Sequence, residues 1–138
     1  MFSEWALAPT EFRRLEEAHG SMLEIDLFAS PLNFKIPQYV ARFNDPQAIA
    51  QDALTLCWNQ WSQIYVFPPF SLIPEVTRKL ESYTGGGLLV VLDSKEHRLL
   101  LPHHRVSKII PLILPPAQLV QGELIYAKTS SDWIALSF

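Results

Sequence analysis

Gln63-Ile64-Tyr65-Val66-Phe67-Pro68-Pro69-Phe70 is the stretch of sequence that decides the fold. Its apolar run predicts a buried strand over residues 63–67. The two prolines end that strand, because a proline has no N–H to donate to a neighbouring strand and its ring fixes φ. The aromatic Phe70 therefore follows the strand on a stiff piece of backbone.

The segments around this stretch predict an α/β domain. Residues 88–92 read Leu-Leu-Val-Val-Leu, and an uninterrupted apolar run is typical of a strand buried on both faces of a parallel sheet. Apolar residues at helical spacing predict helices over 9–19 and 73–83, each followed by glycine. Further strands are predicted over 22–28, 38–42 and 107–114, a short helix over 46–56, and a short helix or loop over 95–104. We expect one domain over residues 1–138 with a mixed, mostly parallel sheet.

The C-terminal region predicts an antiparallel hairpin. Two apolar runs, over 124–128 and 133–136, flank the polar residues Thr-Ser-Ser-Asp at 129–132. The last run, 134–138, would be an edge strand with unpaired backbone, which could pair with a second copy of the chain. Homodimerisation through this hairpin is therefore a hypothesis.

Composition excludes several classes of protein. The 138 residues are 49% hydrophobic and 18% charged, which is enough apolar material for a core and unlike a disordered chain. The formal net charge of −3 argues against binding nucleic acid by overall positive charge, although a local basic patch stays possible. No apolar run approaches the roughly 20 residues of a membrane helix. We expect an intracellular protein, nuclear or cytoplasmic, with no membrane partner.

Several polar residues have ordinary structural interpretations. The charged residues of the first helix are predicted to form its solvent-exposed face; they are Glu11, Arg13, Arg14, Glu16 and Glu17. The single cysteine, Cys57, excludes an internal disulfide and is predicted to be a small buried apolar residue beside Trp58.

Motifs in a fixed order give the chain a resemblance. The chain has Glu4-Trp5 near its start, then Asp26-Leu27-Phe28-Ala29-Ser30 with Asn33, and then Pro37-Gln38-Tyr39. Asp52-Ala53 and the Phe67-Pro68-Pro69-Phe70 motif follow. In this order the motifs resemble those of phage-type DNA adenine methyltransferases. They are more similar still to the methyltransferase-like domain of DIRS-type retroelement polyproteins. The chain departs from the retroelement pattern after Leu92, where a Pro- and Trp-rich loop is replaced by Asp93-Ser94-Lys95-Glu96-His97-Arg98.

The resemblance implies a Rossmann-like methyltransferase fold and a cofactor, S-adenosylmethionine. The matched cofactor-side residues are Asp26, Ala29, Ser30 and Asn33, at the end of the first strand of the family's sheet. A doubly wound sheet binds its ligand at that end of its strands. The alternative is that Asp26 and Asn33 only stabilise a tight turn, as Asx side chains commonly do.

The same resemblance implies that catalysis is lost. The family's motif has a polar residue before its two prolines, and that residue accepts hydrogen bonds from the amine to be methylated. Here the position is Phe67, so the degenerate motif Phe67, Pro68, Pro69, Phe70 predicts an inactive binding or scaffolding domain, for protein or nucleic acid, that needs no cofactor. One alternative is an active DNA adenine methyltransferase that orients the amine with the Val66 or Pro68 carbonyl and Asp93. S-adenosylmethionine would then be its cofactor.

The densest basic cluster suggests a contact with nucleic acid or an acidic partner. Its members are Arg98, His103, His104 and Arg105, with Lys95, His97 and Lys108 nearby. Together with base stacking on Phe70, this cluster would make a module for single-stranded nucleic acid. The alternative is a solvated loop. His103 and His104 lack the carboxylate or cysteine neighbours of a zinc site, so no metal is expected.

Overall fold

The computed structural model describes residues 5–120, 123–126 and 132–138 and contains ten strands and three α-helices in these ranges. The strands are β1 Trp5–Ala6, β2 Ile25–Ala29, β3 Tyr39–Ala41, β4 Ala50–Gln51, β5 Gln63–Val66, β6 Gly86–Leu92, β7 Lys108–Pro111, β8 Ala117–Val120, β9 Glu123–Tyr126 and β10 Trp133–Ser137. The helices are α1 Pro9–His19, α2 Ile73–Ser82 and α3 Lys95–Arg98. None of the described helices is long and apolar enough to span a membrane.

Seven strands form one sheet in the order β4-β3-β2-β5-β6-β10-β7. The first five run parallel to their neighbours. Strand β10 is antiparallel to both β6 and β7, so β7 runs in the same direction as the other parallel strands. The prediction of a mixed, mostly parallel α/β sheet is confirmed, with few helices around it.

The predicted C-terminal hairpin is wrong in its pairing. Strand β9 pairs with β8, and both belong to a separate three-stranded sheet in the order β1-β8-β9. Strand β10 is antiparallel, as predicted, but it is an interior strand of the main sheet, with Ala135 opposite Val90 on one side and Ile110 on the other. Apolar side chains buried on both faces of β10 favour this interior place. Of the two strands predicted for the hairpin, β9 is therefore the one that lies at a sheet edge. Residues 127–128, the end of the first predicted strand, lie outside the described residues.

Helix α1 has the predicted bounds. It begins at Pro9, because an N–H in the first turn would have no intrahelical acceptor and proline lacks one. It is followed by Gly20, whose φ of 91° is costly for residues other than glycine. One prediction for its charged face is wrong, because Glu11 is only 2% exposed. Its carboxylate accepts hydrogen bonds from the backbone N–H groups of Ile113 (2.8 Å) and Leu114 and pairs with Arg14.

The predicted helix over 46–56 is also wrong. The segment contains turns, the two-residue strand β4 and a 3₁₀ turn at Ala53–Thr55. Asp side chains satisfy the backbone N–H groups locally instead: Asp45 Oδ1 accepts from Gln47 N at 3.0 Å, and Asp52 Oδ1 accepts from Leu54 N at 3.3 Å. The β2–β3 and β3–β4 connections contain no α-helix.

The core lies on both faces of the main sheet. Helix α1 packs Phe12 and Leu15 against Leu88 and Val90 on one face. Helix α2, which was predicted within one residue, packs Val76 and Leu80 against the opposite face. The alternate residues Leu89 and Val91 of β6 belong to that second cluster. The prediction that 88–92 is buried on both faces is confirmed, and the core leaves the carboxyl ends of the strands open at one edge.

Candidate functional site: a cleft at the carboxyl ends of the strands

A cleft of about 680 Å³ lies where strands β2, β3 and β5 end. These neighbouring parallel strands all point their carboxyl ends at it, so the residues that follow each strand meet there. Its apolar wall includes Trp5, Leu27, Phe28, Ala29, Phe43 and Phe67. Its polar wall includes Ser30, Asn33, Arg42, Asn44, Asp45 and Asp52. The volume and the mixed lining are those of a site for a small organic molecule.

The end of β2 forms one wall of the cleft. Asn33 Oδ1 accepts a hydrogen bond from Ser30 N at 2.7 Å, and Ser30 Oγ accepts one from Leu32 N at 3.2 Å. Ser30 O in turn accepts from Asn33 N and Phe34 N. Asn33 therefore does stabilise a tight turn, and that turn brings Ala29, Ser30 and Asn33 to the cleft. Asn33 thus has both roles: it stabilises the turn and it lines the cleft.

Asp26 is the predicted cofactor-side residue that does not line the cleft. It lies in β2, in register with Tyr39 of β3 and Tyr65 of β5, and is only 2% exposed. Its Oδ2 accepts a hydrogen bond from Lys35 N at 3.0 Å, and its Oδ1 has no hydrogen-bond partner. Burial raises the pKa of this carboxyl to about 7, against the opposing effects of Lys35 and of the backbone N–H of Phe28.

The Phe67-Pro68-Pro69 motif forms the opposite wall. Phe67 lines the cleft, but it is only 7% exposed and packs edge-on against Trp133, with ring centroids 5.7 Å apart. Phe70 does not line the cleft. It is 44% exposed and stacks on Trp133 at 5.8 Å, with Trp5 at 6.4 Å. The motif thus brings apolar side chains, and no side-chain hydrogen-bond acceptor, to the cleft.

The sequence analysis missed the polar residues that follow β3. Asn44 and Asp45 line the cleft, and Asp45 Oδ2 accepts a hydrogen bond from Tyr39 Oη at 2.6 Å, which raises the pKa of Tyr39 to about 12. Asp52, matched above only by resemblance, lines the cleft with a φ of 56°, a conformation that is rare outside glycine and is often found at functional sites. The sequence signal that could have identified these cleft residues is a set of polar turn residues directly after a predicted strand.

The structure does not bring the basic cluster together as one patch. Arg98 is exposed and pairs with Asp93, which follows the carboxyl end of β6. Arg105 donates to the carbonyl of Leu80 in α2 and to the carbonyl of Gly85, just before the amino end of β6. The seven residues of β6 separate the two arginines by about 20 Å. His103 and His104 are exposed on a 3₁₀ turn beside Arg105.

A second, smaller cavity of about 320 Å³ lies away from the cleft and includes Cys57, Lys79 and Tyr83 in its lining. Cys57 is exposed, so the prediction that it is buried is wrong; its neighbour Trp58 fills the core instead. Across the described ranges, no three His, Cys, Asp or Glu side chains are arranged to hold a metal ion.

No model of a known family and no curated protein matches the sequence.

Proposed function

We propose that the chain is a methyltransferase-like binding domain of retroelement origin that has kept a ligand cleft and lost the group needed for amine methylation. Numbered along the chain, the seven strands of the main sheet lie in the order 3-2-1-4-5-7-6. This is the doubly wound order with one antiparallel strand inserted near its end. In such sheets, ligands bind where the order reverses, between the first and fourth strands.

The cleft supports this proposal because it lies at that reversal, between the ends of β2 and β5. The motifs of the resemblance meet there: Ala29, Ser30 and Asn33 on one wall, and Phe67 on the other. A nucleoside-like ligand such as S-adenosylmethionine needs an apolar surface for its base and polar groups for its sugar. The lining supplies both kinds of group.

The observation that carries the loss of catalysis is the place of Phe67. By the resemblance, Phe67 stands where the family's motif has the amine's hydrogen-bond acceptor, and its ring packs against Trp133. An amine in this cleft would lose a hydrogen bond, at a cost of about 1–3 kcal/mol, and its lone pair would not be oriented. Binding without methyl transfer follows from this combination.

Calorimetric titration with S-adenosylhomocysteine and S-adenosylmethionine tests the ligand part. We expect heat of binding in the micromolar range, and loss of binding in Ser30→Trp, which fills the wall of the cleft. The exposed Ser71→Trp is the control and should bind as the unchanged protein does. Absence of any heat or thermal shift at millimolar ligand would contradict the proposal.

A methyl-transfer assay with labelled S-adenosylmethionine and DNA or RNA tests the catalytic part. We expect no transfer by the unchanged chain. Transfer above background would favour the alternative, an active DNA adenine methyltransferase. The open cleft is the observation that supports this alternative.

A second candidate function, binding of single-stranded nucleic acid, rests on Phe70. One part of its ring is exposed while Trp133 and Trp5 support it, as in a base-stacking platform. Phe70→Ala should then weaken salt-dependent binding to an oligonucleotide. Phe34→Ala is the matched control, because Phe34 is also part-exposed and stacks on one partner, Tyr39. Equal binding by both variants would remove this candidate.

A further inference from the structure

Asp26 is a buried carboxyl group that has no direct contact with the cleft. One of its oxygens accepts from Lys35 N at 3.0 Å, and the other has no hydrogen-bond partner. An unsatisfied buried carboxylate oxygen costs free energy, so this position is unfavourable for folding alone. The hydrogen bonds around Asp26 indicate which segment this costly carboxyl group stabilises.

What Asp26 holds is the β2–β3 connection. Lys35, whose backbone N–H binds Asp26, donates from its Nζ to Asn33 O at 3.0 Å. Asn33 Oδ1 then accepts from Ser30 N at 2.7 Å. Ser30 and Asn33 both line the cleft. Three hydrogen bonds, linked through the covalent frames of Lys35 and Asn33, therefore join the buried carboxylate to the cleft wall.

The charged and titratable groups that face Asp26 come from two neighbouring elements. Lys35 of the connection attracts the carboxylate, and burial lowers the pKa of Lys35. Tyr65 of β5 is fully buried, and both its burial and the nearby Asp26 raise its pKa, so its hydroxyl stays neutral. On the β3 side, Tyr39 is in register with Asp26, but its hydroxyl donates to Asp45. Asp26 is therefore the group at this place that ionises near neutral pH, and Lys35 is its charged partner.

We propose that Asp26 is the positioning residue of the cleft: its carboxylate holds Lys35, and through Lys35 it sets the wall at Ser30 and Asn33. A hydrogen bond to an ionised acceptor is shorter and stronger than one to a neutral acceptor. The wall is therefore best ordered when Asp26 is charged, and ligand affinity rises with pH. The ligand part of this inference rests on the proposed function; the ordering of the wall does not.

The first test uses the ligand-free protein. Backbone amide NMR signals of Lys35, Asn33 and Ser30 are followed between about pH 5 and 9, the range that brackets a carboxyl titrating near neutrality. We expect all three to shift with one common midpoint, and Asp26→Asn to abolish that shift. Glu81→Gln, which removes an exposed carboxylate from the last turn of α2, should leave it unchanged. Signals that do not titrate, or that titrate equally in Asp26→Asn, would overturn the inference.

The second test measures affinity for S-adenosylhomocysteine at about pH 6 and pH 8. We expect binding at least about fivefold tighter at the higher pH, the lower end of typical coupling between sites. Asp26→Asn should bind more weakly and without pH dependence, while Glu81→Gln behaves as the unchanged protein. Equal affinity of Asp26→Asn and the unchanged protein at both pH values would overturn the positioning role. If S-adenosylhomocysteine binds at neither pH, the proposed function fails, and the amide titration alone decides the role of Asp26.

Discussion

The carboxyl group of Asp26 makes the stability of the chain depend on pH. Its pKa is raised from 3.8 to about 7 by burial, so between these values the folded protein keeps a proton that the unfolded chain has lost. Its stabilising contribution is complete below about pH 4 and is lost as pH rises through 7, with a slope of at most about 1.4 kcal/mol per pH unit. Urea denaturation at a series of pH values should show this decline, and Asp26→Asn should remove it.

Two other carboxyl groups provide an internal contrast for that measurement. Hydrogen bonds from Gln63 and Ser62 lower the pKa of Glu24, and Arg98 lowers the pKa of Asp93. Their contributions are lost as pH falls below about 4.5, in the opposite direction to that of Asp26. A decline between pH 4 and 7 that persists in Asp26→Asn would contradict the assignment.

Phe67 and Phe70 separate core packing from surface stacking. Phe67→Ala should lower the free energy of unfolding by about 3–5 kcal/mol, because it empties a buried site against Trp133. Phe70→Ala should lower it by about 1–3 kcal/mol, the value of two aromatic pairs, because Phe70 is part-exposed and pairs with Trp133 and Trp5. Chemical denaturation of both variants measures the difference. Similar losses would mean that Phe70 is a core residue and not a platform for bases.

At the same scale, the sequence could predict which residues reach the cleft only in part. Ala29, Ser30 and Asn33 were found because they follow a strand end, and strand ends meet in parallel sheets. Asp26 was predicted to lie with them, but it is buried within β2, three residues before the end of the strand, and does not line the cleft. The β2–β3 connection covers Asp26 through the backbone N–H of Lys35, and no pattern within the strand reveals that cover.

Helix α1 is joined to the connection after β7 by one side chain. Glu11 accepts from the backbone N–H groups of Ile113 and Leu114, and Glu11→Ala would remove the acceptor of both donors. We expect a loss of about 1–3 kcal/mol in the free energy of unfolding, at about 0.5–1.5 kcal/mol for each hydrogen bond, because both donor residues are exposed and water can replace the carboxylate. Glu17→Ala in the exposed part of the same helix is the control and should cost less than about 0.5 kcal/mol. Equal losses in the two variants would contradict the anchoring role.

The elements show where local information suffices. Helix α1 was predicted from its spacing, Pro9 and Gly20, all of which act within the helix. Glu11 of this helix was predicted to face solvent. The backbone N–H that its carboxylate accepts from belongs to Ile113, 102 residues away, and no local pattern shows that contact. The helix predicted over 46–56 failed for a local reason, because Asp45 and Asp52 satisfy backbone N–H groups that a helix would need.

At the scale of the whole molecule, β10 is the strand that local patterns could not place. It pairs with β6 and β7, so the last described residues of the chain complete a sheet begun near its start. Pairing across such sequence distances is set by burial of the whole sheet and not by a turn. The prediction that β10 would close a hairpin used the nearer run, β9, which belongs to the smaller sheet. Homodimerisation by edge pairing therefore stays a hypothesis for β9 and not for β10.

The interior place of β10 makes the whole sheet sensitive to its middle residue. Ala135 is fully buried and lies between Val90 and Ile110, so Ala135→Pro removes an N–H from the sheet and places a ring against a neighbouring strand. We expect a loss of at least about 3 kcal/mol, a large fraction of a typical domain's stability. The same substitution at Ala50, in the two-residue edge strand β4, is the control and should cost clearly less. Circular dichroism during urea denaturation measures both variants, and a sheet that tolerates Ala135→Pro as well as Ala50→Pro would mean that β10 does not hold β6 and β7 together.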